Sequence, residues 1–298
     1  MRRQRRSEYT RATMDIFLAR DMGFCFGVRR AVEMMEEASQ ELGGMTSLGS
    51  TVHNRQVVEQ LKEQGIDVIA SLDEVDERPV AITAHGVSES VTLELAQRGV
   101  PVVDTTCPIV TRSQQWAKRL IEDGFAVIVF GDPNHKEVRG VLGWSNGKAF
   151  AVPSIEQLDT LPEELPSRIG VLSQTTETEA HFADFVRALL ERRMDRISEL
   201  RVINTLCNAT TSQQAAAQEL AHQVDLMVVI GGRESANTRH LAEVAREEGV
   251  ETHHVESADE LQPEWLDGHQ RVGVTAGAST PDDAIEAVVA RLRELAPA

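Results

Sequence analysis

Cys25, Cys107 and Cys207 are the residues of this chain best suited to hold a soft metal. They are odd in number and widely spaced, which does not suit a disulfide framework. Three thiolates can ligate zinc or one [4Fe-4S] cluster. A cluster normally takes four cysteines, so three would leave one iron without a protein ligand and open to substrate. No C-x-x-C pair of the kind used by structural zinc modules is present. Spacing alone favours iron–sulfur and leaves zinc open.

The cysteines also mark a repeat. The segments DTTC and NTLC precede two of them, and SQQ follows both. At 28 residues beyond Cys25, Cys107 and Cys207 stand His53, His135 and Ser235. A later loop in each segment carries His85, Thr175 or Ser279. Together with Asn54, Thr176, Asn237 and Thr275 these are mostly uncharged donors, which, with backbone N–H groups at helix N-termini, can hold a phosphate or diphosphate. Taken singly, a loop Ser or Asn reads better as a helix N-cap, and a lone His as a hydrogen-bonded loop residue. Recurrence at equivalent positions in three copies argues for function in the set. Glu137, two residues after His135 at the start of a helix-like run, suits either a first-turn helix acid or a proton carrier.

The elements that must position these residues alternate strand and helix. Each cysteine ends an apolar strand-like run and precedes a helix-like one, and Gly65, Gly147 and Gly249 look like left-handed stops before the next strand. The chain therefore reads as α/β, with three copies of one plan and parallel βαβ units, whose binding loops lie at the carboxyl ends of strands. The expected division is a disordered basic tail over 1–13, then domains over 14–107, 108–207 and 208–298. A strand over about 14–25 is expected to complete the third domain. Packed about a pseudo-threefold axis, such domains would bring three thiols to the centre with the polar loops around them.

Composition narrows the partners. Thirty Lys and Arg against 47 Asp and Glu give a net charge of −17, which disfavours nucleic acid and anionic membrane surfaces. Aromatics at 4% argue against a base-stacking platform. The apolar runs fall far short of the roughly 18 residues of a membrane span. The basic tail lacks the apolar core of an export signal, so a cytoplasmic location is expected. GFCFGV and GGRESANT lack the spacing of nucleotide-binding loops.

The motifs GFCFGVRRA, VHNRQVV, AHGVS, DTTCP, NHKEVRG, SQTT, CNATT, ESAN and GVTAGAST resemble, in number and order, the 4-hydroxy-3-methylbut-2-enyl diphosphate reductase family, also called LytB, across about residues 14–296. The resemblance implies a trefoil of three α/β domains around one [4Fe-4S] cluster. It also implies a two-electron, two-proton reductive dehydroxylation that yields isopentenyl and dimethylallyl diphosphate plus water, the last step of the non-mevalonate pathway. By motif, Cys25, Cys107 and Cys207 would ligate the cluster, and His53, His85, His135, Ser235, Asn237 and Ser279 would bind the diphosphate. Glu137 would deliver protons, with Thr175 positioning substrate beside that path. An external low-potential donor, ferredoxin- or flavodoxin-like, is implied as well. Two positions depart from the family pattern: Ala236 where Ser is common, and Lys136 beside the proposed acid. A redox-neutral dehydratase using the same cluster as a Lewis acid, and a non-enzymatic iron–sulfur sensor, are the competing readings.

Overall fold

The computed structural model describes residues 14–296, and the basic tail over 1–13 lies outside them. Along the described residues run β1 (Asp15–Leu18), α1 (Phe26–Leu42), β2 (Met45–Leu48), α2 (Arg55–Glu63), β3 (Ile66–Ile69), β4 (Val80–Ile82), α3 (Glu89–Arg98) and β5 (Val102–Asp104). Next come α4 (Pro108–Glu122), β6 (Ala126–Phe130), α5 (Lys136–Gly143), β7 (Ala149–Val152), β8 (Arg168–Ser173), α6 (Glu179–Arg193) and β9 (Glu199–Val202). The chain continues with α7 (Asn208–Ala221), β10 (Leu226–Ile230), α8 (Ala236–Glu247), β11 (Glu251–Val255), β12 (Arg271–Ala276) and α9 (Asp282–Leu295). The strand read over 14–25 is thus only Asp15–Leu18, and the rest of that stretch is loop.

The strands form three four-stranded parallel sheets ordered β3-β2-β4-β5, β7-β6-β8-β9 and β11-β10-β12-β1. All three follow one plan. The central strands read as continuous apolar runs, AVIVF in β6 and LMVVI in β10, because helices cover both faces of a parallel sheet. Both runs are buried along their whole length. Separate cores fill each sheet's faces, for example Val228, Val274 and Val288 in one and Ile128, Val171 and Phe185 in another. Leu292, within the C-terminal ARLREL run, is fully buried in the first of these. Its spacing from Val288 places it on the inner stripe of α9.

In each sheet the chain goes from the first strand to one neighbour and then jumps back to the other side. That reversal makes a topological switch point between β2 and β4, β6 and β8, and β10 and β12, where the carboxyl-end loops splay apart and leave a crevice. The fourth strand of each sheet, β5, β9 or β1, then leads through a cysteine into a helix that packs on the next sheet. Gly65, Gly147 and Gly249 all have positive φ, of 84°, 73° and 80°. Gly65 and Gly249 follow their helices directly. Gly147 instead ends a turn beyond α5, which is capped at Trp144 in a right-handed conformation.

Candidate functional site

The three cysteines occupy one structural position. Each is the N-cap residue of a helix, Cys25 of α1, Cys107 of α4 and Cys207 of α7. At Cys25 the side chain itself caps the helix, with the Val28 N–H 3.4 Å from Sγ, whereas Cys107 and Cys207 make no such side-chain bond. Burial raises the Cys25 and Cys107 thiols, and backbone N–H groups of the following turn oppose that rise. All three cysteines are free. A Cβ added at Gly27 would stand 2.6 Å from Cys107 Sγ and 4.0 Å from Cys25 Sγ, so two sulfurs from different loops crowd this one glycine.

The three sulfurs line a single cavity together with His53, His85, His135, Glu137, Thr175, Ser235, Asn237 and Ser279. The structure thus brings together every residue to which the family motifs assign catalysis, substrate binding or metal ligation. Six polar members sit in loops at the switch points: His53 and His85 after β2 and β4, His135 and Thr175 after β6 and β8, Ser235 and Ser279 after β10 and β12, while Glu137 and Asn237 stand in the first turns of α5 and α8. Asn54 and Thr275 fall just outside the cavity. Asn54 caps α2 through the Val57 N–H, and Thr275 is buried in β12.

The imidazoles of His53, His85 and His135 form a tight cluster, with ring centroids 4.8 to 5.6 Å apart. Burial lowers all three pKa values, with that of His135 brought down to about 4, and the charge of Lys136 adds to the effect at each ring. The cluster therefore resists protonation in the free protein. His135 Nδ1 accepts the Glu137 N–H at 3.2 Å, which leaves Nε2 to carry the proton and donate toward an anion. Ser235 likewise caps α8 by accepting from the Thr238 N–H, leaving its O–H free to donate. Capping and anion binding are compatible roles here, because the cap uses only the acceptor of each group.

Six buried side-chain atoms have no hydrogen-bond partner among the described residues: His53 Nε2, His85 Nδ1, Asn237 Oδ1, Thr238 Oγ1, Thr275 Oγ1 and Ser279 Oγ. Leaving one such atom unsatisfied costs about 1–3 kcal/mol. Four belong to residues lining the cavity, so their natural partner is a polar ligand within it. Ala236 also lines the cavity at the first position of α8, where it can offer only its backbone. Lys136 turns from the acid toward the first sheet, its Nζ 3.2 Å from where a Cβ on Gly49 would be.

Glu137 is 3% exposed. Burial raises its carboxyl, and two donors from Thr175, the backbone N–H and the hydroxyl, hold it back. Two supporting residues escaped the sequence reading. Gln213 accepts Asn237 Nδ2 at 2.9 Å and donates to the Gly23 carbonyl at 2.8 Å, which fixes the orientation of that amide. Thr238 contributes an unpartnered hydroxyl on the same helix. The repeated SQQ was the available signal for Gln213.

The sequence pattern that defines the LytB protein family matches residues 16–293, spanning nearly all of the described chain. The chain belongs to the LytB family. A relative from Dehalococcoides mccartyi strain CBDB1, named 4-hydroxy-3-methylbut-2-enyl diphosphate reductase, is 45% identical over 282 residues, covering 95% of this chain and 99% of its own. A similarly named protein of Pelobacter propionicus is 43% identical over 282 residues, with 95% and 99% covered. Among solved structures, a 4-hydroxy-3-methylbut-2-enyl diphosphate reductase described as the terminal enzyme of the non-mevalonate pathway superposes with a TM-score of 0.68 at 39% identity, over 94% of this chain and 99% of that one. The E-1-hydroxy-2-methyl-but-2-enyl-4-diphosphate reductase of Plasmodium falciparum superposes with a TM-score of 0.88 at 25% identity, over 94% and 88%. Its parallel three-sheet α/β architecture is thus shared with this LytB chain.

Proposed function

We infer that this chain is a 4-hydroxy-3-methylbut-2-enyl diphosphate reductase. It removes the substrate hydroxyl as water with two electrons and two protons, giving isopentenyl and dimethylallyl diphosphate at the end of the non-mevalonate pathway. The observation that carries this reading is the set of buried, unpartnered polar atoms on His53, His85 and Ser279, each able to donate, in a cavity floored by three free thiols. A sensor would have no use for such a set, and a redox-neutral dehydratase would convert its substrate without an electron donor. Among the described residues no helix is long and apolar enough to cross a membrane.

The LytB family is iron–sulfur dependent, and the donor set here fits such a group: three soft thiols at helix N-caps and no fourth cysteine in the sequence. Cys25, Cys107 and Cys207 would hold one [4Fe-4S] cluster, leaving one iron for substrate. When bound, a cluster of this kind supplies low-potential electrons and Lewis acidity, with the electrons entering from an external ferredoxin- or flavodoxin-like donor.

The chain's own residues bind, orient and protonate. His135 Nε2 and the Ser235 hydroxyl donate to diphosphate oxygens, joined by His53, His85, Asn237 and Ser279, and the first-turn N–H groups of α5 and α8 add their dipoles. An arriving diphosphate favours the charged imidazoles, so the neutral cluster takes up protons as it binds. Anchoring the diphosphate fixes the hydroxyl-bearing end of the substrate, which turns an encounter into an oriented reaction. Glu137, held by Thr175, gives the proton that lets the hydroxyl leave as water.

The test is anaerobic purification with iron and sulfide assays, followed by substrate addition with and without a strong reductant. The reading expects bound iron and sulfide, and product only with reductant. Stoichiometric zinc without sulfide, or conversion without reductant, would overturn it.

A further inference from the structure

We propose that Glu177, with His240 and Glu243, is the port through which solvent protons reach Glu137. The proposal rests on the reductase reading, in which each turnover consumes two protons. Glu137 is 3% exposed, and substrate filling the central cavity would separate it from water on that side. Its protons must then arrive through the protein.

The geometry places the two carboxyls on opposite sides of one short wall. Thr175 and Thr176 line the central cavity, whereas Glu177, the next residue, lines a separate outer groove between α6 and α8. The three consecutive residues 175–177 are therefore the wall between the two spaces. On the inner side Thr175 Oγ1 lies 2.7 Å from Glu137 Oε2. On the outer side Glu177 Oε2 lies 3.8 Å from His240 Nε2, and Glu243 Oε2 approaches the same nitrogen at 3.9 Å. The side chains of Glu177 and His240 are 10% and 14% exposed, while that of Glu243 is 50% exposed. An exposed carboxylate, an imidazole and a buried carboxyl thus run inward in order.

The imidazole is set for relay. The Thr176 carbonyl can only accept, so the 2.6 Å contact with His240 Nδ1 places the proton on Nδ1 and leaves Nε2 with a free lone pair. That lone pair faces both carboxyl groups. The Thr176 carbonyl also accepts Gln214 Nε2 at 3.1 Å, which pins the wall to α7 as well.

Charge works in the same direction. Burial, and then the charges of Glu243 and Glu137, push the Glu177 carboxyl up to about 8, with Arg239 opposing. Besides these, His181, Asp184 and Glu156 face the groove, and His181 leans on Glu247 at 3.7 Å. Glu177 therefore holds a proton at neutral pH. Two buried carboxyls that feel one another's charge resist ionising together, so a Glu137 that has just given up its proton is refilled. Each transfer moves one proton between oxygen or nitrogen lone pairs, and no electron changes hands.

The experiment compares wild type with Glu177→Gln as reduced holoenzyme under excess artificial reductant, by chemical quench and at steady state, from pH 6 to 9. Hydroxyl loss in the first turnover, for which Glu137 is already loaded, should stay within about twofold of wild type, while steady-state turnover falls about tenfold, a modest share of what general acid catalysis supplies. The wild-type rate should decline as pH rises through 8, and the variant should lack that limb. Infrared spectra of the holoenzyme should show a protonated carboxyl band that titrates in the same range and is missing from the variant. Should Glu177→Gln not fold, Glu243→Gln on the half-exposed rim should give the same split between first and later turnovers. A wild-type steady-state rate, or first and later turnovers falling by one factor, would overturn the port and leave the reductase reading intact. An inactive wild type would instead overturn the reading beneath it.

Discussion

Glu137 and Thr175 meet at two points: the Thr175 N–H lies 2.7 Å from Oε1 and its hydroxyl 2.7 Å from Oε2. The residues are 38 apart in sequence and flank one switch point, Glu137 in the first turn of α5 and Thr175 beyond β8. Burial raises this carboxyl and the two donors lower it, so its proton affinity is set by a balance that either residue can shift. A first-turn position adds the helix dipole on the side of the anion.

Glu137→Gln preserves shape and hydrogen-bonding reach but has no carboxyl proton. Turnover should fall by roughly 10²- to 10⁴-fold, the usual worth of general acid catalysis. Iron content and substrate-induced spectral change should match wild type. A variant that turns over near the wild-type rate would remove Glu137 from the proton path.

Gln213→Ala removes the group that fixes the Asn237 amide. With the buried Asn237 Nδ2 left unpaired, the expected cost is about 1–3 kcal/mol. Much of it should appear as a raised KM, because Gln213 does not line the cavity and acts only through Asn237. Steady-state kinetics that put the whole loss in kcat would contradict the assignment of Asn237 to the diphosphate.

Much of this site is legible in the sequence, and the reason is topological. Cys25, Cys107 and Cys207 recur because each follows the fourth strand of an equivalent sheet, and His53, His135 and Ser235 because each follows the first. Equal spacing in the chain thus reports equal position in the fold. Gln213, Glu177 and His240 stayed hidden because their roles depend on which unit packs against which. The bond from Gln213 to Gly23 spans 190 residues and that from His240 to Thr176 spans 64, and no local pattern encodes either. The early end of β1 and the turn that carries Gly147 beyond α5 were missed for a more local reason, since helix and strand ends are the least determined part of any periodic pattern.

Gly27→Ala should spare the fold and damage the cysteine site. Ala favours a helix, but its Cβ would press on Cys107 Sγ at 2.6 Å. Iron and sulfide per chain should drop while the thermal midpoint of the metal-free protein holds or rises. Full iron loading would show that the sulfur can move aside without cost.

His135 predicts a loss of stability in mild acid. Its pKa is about 4 in the folded chain and near 6.5 unfolded, so the unfolded state gains a proton first as pH falls. Stability is complete above about pH 6.5 and declines toward pH 4, by about 3 kcal/mol from this residue. His135→Gln should flatten that part of the profile. Inorganic diphosphate should shift the decline to lower pH, because an anion beside the imidazole lets the folded state take the proton too. Thermal midpoints across pH 4 to 8, with and without diphosphate, check both effects.

The most direct test of the account is the count of electrons used per diphosphate converted. Reduced holoenzyme is titrated with 4-hydroxy-3-methylbut-2-enyl diphosphate under strict anaerobiosis while oxidised donor and products are quantified together. The account predicts two electrons for each isopentenyl or dimethylallyl diphosphate formed, and no conversion once the donor is spent. Conversion that consumes no electrons would contradict it, making the three-thiol site a Lewis acid for a redox-neutral elimination.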